Sequence, residues 1–117
     1  MPITNDVKLG KNVKIPFTGM VNLYGGKLGN DVFVGPFVEI QKGVRIGDKS
    51  RISSHSFICE GVTLGREVFI AHGVMFVNDK FSDSKSLSDW KMRKTVIEDN
   101  VRVGSNVTIL PVRIGRN

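Results

Sequence analysis

"VFVGPFVEIQKGVRIGDKSRIS", residues 32–53, carries Val34, Ile40, Ile46 and Ile52, four aliphatic side chains six residues apart. A helix repeats near 3.6 residues and a strand at 2, so neither accounts for a period of six. Six residues suffice for one short strand and one tight corner. Three such units close a triangular coil of 18 residues, with the repeating aliphatics inside. The pattern extends outward in both directions. Leu9, Ile15 and Val21 precede a seven-residue step to Leu28, and steps of six then run through Ile58, Leu64 and Ile70 to Phe76. It resumes at Ile97, Val103 and Ile109.

Side chains 18 apart should therefore stack. The expected interior columns are Leu28, Ile46, Leu64; Val34, Ile52, Ile70; and Ile40, Ile58, Phe76. Successive coils would lie about 4.8 Å apart, the spacing of hydrogen-bonded parallel strands. Glycine, asparagine and aspartate at the corners suit positive φ. The prediction is an all-β parallel solenoid of about five to six triangular coils, in a single domain over 1–117.

Two segments break the pattern. "NDKFSDSKSLSDWKMRKT", 78–95, is polar and has no glycine, and it reads as a loop (about 79–95) protruding from one corner. Trp90, the only tryptophan, either pins that loop to the prism or contacts a ligand or a neighbouring subunit. In "ILPVRIG", 109–115, the step from Ile109 to Ile114 is five, so that corner is one residue short.

Bulk properties narrow the classes of function. The chain has 117 residues and a net charge of +6, from 17 basic and 11 acidic side chains. The basic residues are scattered along the chain without a run of four, so nucleic acid is not an expected partner, whereas small polyanions such as nucleotide-sugar diphosphates or coenzyme A suit the charge. No apolar run is long enough to cross a bilayer and no leader is visible, so a cytoplasmic protein without membrane contact is expected. One cysteine, Cys59, excludes an internal disulfide and argues against a cysteine-based metal site.

Register also places polar side chains. Lys42, Glu60 and Asn78 each stand two residues past an inward aliphatic and 18 apart, which makes them one column on an outer edge. Pro36, Ser54 and His72 form the equivalent column on the neighbouring edge.

"FVGPFVEIQKGVRIG", "SHSFICEGVTLG" and "HGVMFVND" resemble the left-handed β-helical hexapeptide-repeat acyltransferases, within them the nucleotide-linked 3-amino-sugar N-acetyltransferases. The resemblance supplies the hand of the helix. It implies an acetyl-CoA-dependent N-acetyltransferase acting on a nucleotide-linked amino sugar for lipopolysaccharide or S-layer glycan. It further implies a homotrimer with active sites between subunits and no required metal. Asn78 matches the family asparagine that holds the sugar near its amine, within an F-x-N-D motif that includes Asp79. Glu60 matches an acidic family position suited to a sugar hydroxyl. Imidazole changes charge near neutrality, so His72 is the candidate proton acceptor, with a substrate contact or a solvated corner residue as its other readings. His55 is read as a structural hydrogen-bonding residue or a substrate contact, and Lys42 as a solvated charge or a diphosphate contact. The cofactor groove would use Gly104 and Ser105, with Trp90 beside it. The family usually continues with another coil and a tail, so the chain is short at its C-terminal end by comparison. The alternative is a non-catalytic β-helical trimer that keeps a sugar cleft without a complete coenzyme A groove. A γ-type carbonic anhydrase needs three histidines per zinc site, and the chain has two.

Overall fold

In the computed structural model, which describes residues 2–79 and 92–117, the chain winds as a triangular parallel solenoid of about five coils, consistent with a left-handed β-helix. Every strand pairing is parallel and joins one coil to the next. Face one holds six strands: Lys8–Leu9, Lys27–Leu28, Arg45–Ile46, Val62–Leu64, Thr95–Ile97 and Arg113–Ile114. Face two holds four: Phe33–Val34, Arg51–Ile52, Phe69–Ile70 and Arg102–Val103. Face three holds five: Asn22–Leu23, Glu39–Ile40, Phe57–Ile58, Met75–Phe76 and Thr108–Ile109.

Most strands are two residues long, and the alternation of the pleat sets their sides. In Arg51–Ile52 the first residue is exposed and the second buried. The expected columns hold: Leu28 pairs with Ile46 and Ile46 with Leu64, Val34 with Ile52, and Ile40 with Ile58. These side chains, with the valines two residues before them, form one continuous buried core. Where serine replaces valine, its hydroxyl is satisfied by the next coil. Ser50 Oγ donates to Gly65 O at 2.9 Å and accepts from Val68 N at 3.1 Å, and Ser56 does the same with Ala71 O and Val74 N.

The corners explain the rest of the hexad. The third residue past the inward aliphatic adopts positive φ on nearly every lap, as at Asp31 (60°), Lys49 (62°), His55 (63°) and Asn100 (62°). The residue directly after the aliphatic is often glycine because the next coil passes so close. A Cβ on Gly47 would lie 2.4 Å from Gly65 O.

The first lap departs from the expected phase. Leu23, not Val21, pairs with Ile40 and enters the column. A 3-10 turn at Thr18–Met20 lengthens the step from Ile15 to Leu23 to eight, and the corner at Gly25 shortens the next to five. Val21 is still buried, as the core residue two before Leu23. A step of seven therefore hides two compensating changes. The later phase is as expected: Ile97 pairs with Leu64 and, across the shortened corner, with Ile114. Arg93 N donates to Asn78 O at 2.8 Å, so the chain leaves and re-enters the prism at one corner. The predicted loop, except its ends, lies outside the described residues, as does Trp90.

Candidate functional site

The three edges of the prism share a backbone and differ in what their side chains do. At corner one, between faces one and two, the asparagine and aspartate side chains are engaged by the fold. Asn30 Oδ1 accepts from Lys11 N, Asp48 Oδ1 from Asn30 N and Asp99 Oδ1 from Arg66 N, each at 2.8 Å. Each side chain there hydrogen-bonds the backbone of the adjoining coil, as a turn-forming Asn or Asp does.

Corner two, between faces two and three, carries Pro36, Ser54, His72 and Ser105 in register, since Ile70 pairs with Val103. Ser54 Oγ and His72 Nδ1 are 2.9 Å apart. The backbone beneath them is fixed: Gly73 N donates to Ser54 O and Asn106 N to His72 O. His72 is exposed and Ser54 half-buried. With Nδ1 engaged by the hydroxyl, Nε2 is the ring nitrogen left to face an incoming group. Gly104 and Ser105, expected to line a cofactor groove, are exposed on the same edge one coil beyond His72. His55 N donates to Pro36 O at 3.2 Å, and its ring meets that of Phe37 with centroids 4.9 Å apart. Phe37 itself is 55% exposed.

Corner three, between faces three and one, carries Lys42, Glu60 and Asn78. Asn78 Nδ2 donates to Glu60 O at 3.1 Å, so the predicted stacking of these two residues is present. That bond also gives the Asn78 amide a structural task. Asp79 Oδ1 is buried and has no hydrogen-bond partner among the described residues. An unpaired buried carboxylate oxygen is costly and marks a place where a donor would be welcome. Lys42 is exposed, and the chain approaches it closely at Gly25, where a Cβ would lie 2.7 Å from Lys42 Cβ.

The candidate residues thus divide between two edges. His72, His55, Gly104 and Ser105 lie on corner two, and Lys42, Glu60, Asn78 and Asp79 on corner three. The Met75–Phe76 strand separates His72 from Asn78 within one coil.

Between the two edges, face three carries a polar network that sequence reasoning missed. Glu39 accepts from three donors: Asn22 Nδ2 at 3.2 Å, Tyr24 Oη at 3.2 Å and Gln41 Nε2 at 3.1 Å. Gln41 Oε1 accepts from Glu60 N at 3.0 Å, which ties the network to corner three. Burial raises the pKa of Tyr24, and the Glu39 charge adds to the rise. Tyr24 and Gln41 each follow an inward residue, but they are 17 apart, and a search at 18 passes over them. Nearby Cys59 is buried, and burial pushes its thiol up to about 11. Among the described residues no three His, Cys, Asp or Glu side chains converge as metal ligands.

This architecture matches known sequences. The family "Bacterial transferase hexapeptide (six repeats)" matches residues 25–60, and "Hexapeptide repeat of succinyl-transferase" matches 94–117. The Bifunctional protein GlmU of Acetivibrio thermocellus is 38% identical over 116 residues, covering 98% of this chain and 22% of that protein. The GlmU of Carboxydothermus hydrogenoformans is 35% identical over 133 residues, covering 98% of this chain and 27% of its own length. That of Streptococcus uberis is 37% identical over 94 residues, covering 80% and 18%. The chain thus spans about a quarter or less of these relatives. The matches support the hexapeptide-repeat transferase superfamily for this chain.

Proposed function

We propose that the chain is an acyltransferase that moves the acyl group of acyl-CoA, acetyl in the expected case, to the amine of a nucleotide-linked sugar. The observation that carries the reading is the exposed Ser54–His72 pair on the edge that also presents Gly104 and Ser105. The two matched family descriptions, a transferase and a succinyl-transferase, agree with an acyl group as cargo.

The reaction needs few groups. A neutral amine nitrogen attacks the thioester carbonyl, the carbon–sulfur bond breaks, and the coenzyme leaves as a thiolate that takes up the proton His72 collects from the nitrogen. His72 Nε2 takes the proton that the nitrogen sheds, once Ser54 Oγ accepts from Nδ1–H and holds the ring. Glu60, Asn78 and Asp79 on corner three orient the sugar through its hydroxyls and amine. Since the two corners flank one strand of the same chain, the proposal includes a homotrimer, in which corner two of one subunit faces corner three of another.

Release of free thiol from acetyl-CoA in the presence of UDP- or dTDP-linked 3-amino sugars tests the reading. Turnover that falls about 100-fold in His72→Ala is the expected result. Binding of the sugar nucleotide without thiol release, for every amino sugar tried, would replace the enzyme with a non-catalytic sugar-binding trimer.

A further inference from the structure

The net charge of +6 is not spread evenly over the prism. The outward row of face three, Asn22, Glu39, Phe57, Met75 and Thr108, holds no cation. The outward row of face two alternates. Lys14 bridges to Phe33, Phe33 pairs with Arg51, Arg51 with Phe69, and Phe69 with Arg102. Cation and aromatic ring thus take turns over five rungs. The cations recur every second rung, about 9.6 Å apart. The Arg51 guanidinium lies 4.5 Å from the centroid of Phe33, which holds the two as one unit.

A groove follows this row along corner one. Its larger part, 1020 Å³, is lined by Arg51, Phe69, Arg102 and Arg116 among others. A smaller part, 220 Å³, continues past Lys14 and Phe33 and shares Lys49 and Arg51 with it. Five cations line the whole, against the two carboxylates of Asp31 and Glu67. None of these seven side chains forms an ion pair among the described residues, where Arg113–Glu98 on face one is the recorded pair. Unpaired cations in a long, open groove that phenylalanine side chains also line are arranged for a ligand.

We infer that face two and corner one bind a linear acidic glycan in which a carboxylate-bearing sugar alternates with a neutral one. Adjacent rungs lie about 4.8 Å apart, similar to the advance of one pyranose along an extended glycan. A two-sugar repeat then brings a carboxylate to each cation and a neutral sugar beside each phenylalanine. The acidic pair discriminates against phosphate polymers. Asp31 and Glu67 can accept hydrogen bonds from sugar hydroxyls, but they repel a backbone with a charge on every unit. This site is separate from corners two and three and does not depend on the acyl-transfer reading.

Calorimetric titration of the whole chain with a hyaluronan oligosaccharide, a cello-oligosaccharide and oligo-dT tests the inference. The hyaluronan should bind, and weaken between about 50 and 200 mM salt. Replacing both arginines, Arg51→Gln with Arg102→Gln, should weaken it about 10-fold or more. The face-one pair Lys27→Gln with Arg45→Gln should leave binding unchanged. All four side chains are exposed, so the thermal midpoint should stay put in both double variants and serves as the folding control. Absence of hyaluronan binding, equal binding of the neutral glycan, equal loss in the face-one pair, or tighter binding of oligo-dT would each overturn it.

Discussion

Corner one and corner two are built on the same backbone turn, with positive φ at Lys49 and Glu67 on one and at Phe37 and His55 on the other. At corner one, the Asn30, Asp48 and Asp99 side chains are spent on amides of the adjoining coil. At corner two, Ser54 and His72 bond each other and leave a ring nitrogen for solvent. The difference lies in the residue two past the inward aliphatic. A short carboxylate or amide reaches the neighbouring backbone, whereas an imidazole and a hydroxyl are left for chemistry. At this position the side chains of one edge therefore serve stability, and those of the other are left open to acyl-transfer chemistry.

Substitutions can break that contrast, and the largest effect is expected at corner two. His72→Ala should cut acyl transfer about 100-fold while moving the unfolding midpoint little, as steady-state rates beside thermal melts will read. Next comes Gly47→Ala on corner one. The added methyl meets the Gly65 carbonyl, and a loss of about 2 kcal/mol is expected in urea titration. Asp48→Ala on the same edge removes the acceptor of Asn30 N and should cost about 1 kcal/mol, with turnover per folded molecule unchanged. Thr95→Val sharpens the comparison from the other side. Thr95 Oγ1 is buried without a partner among the described residues, so its removal should add about 1 kcal/mol. A melt no higher than that of the unaltered chain would show that the hydroxyl is satisfied.

The smallest effect concerns Cys59. Burial disfavours its thiolate, so the folded pKa, about 11, lies above the ordinary 9.0. The sign follows: the contribution to stability is complete below about pH 9 and disappears as pH rises through 11. Iodoacetamide should label the native chain slowly at pH 8 and rapidly in denaturant. Fast labelling in the native state would show the thiol to be open.

Much of the fold could be read at period 18. The columns through Ile46, Ile52 and Ile58 needed only counting, because a hexad that keeps its length keeps its register. The first lap was misread where Val21 took the place of Leu23, since an eight and a five together imitate a seven with a six. For the candidate site, counting also stacked Asn78 on Glu60 and His72 on Ser54. It missed the Glu39 network, because Tyr24 and Gln41 are 17 apart and their hydrogen bonds depend on where side chains end. Counting also did not show that the His55 ring meets Phe37 on the lap before, since ring contacts depend on where side chains end.

By itself the sequence determined that this chain coils in threes, which residues fill the axis, and where the winding is interrupted, because burial of one aliphatic per hexad is a repeating requirement that leaves its period in the string. Only the tertiary structure decided which outward side chains meet. Lys14, Arg51 and Arg102, far apart in the string, come to one face because the solenoid folds a lap of about 18 residues into one rung. Whether two such neighbours pair, stack or stand free is set by side-chain length and the turn of the corner, which periodicity does not record.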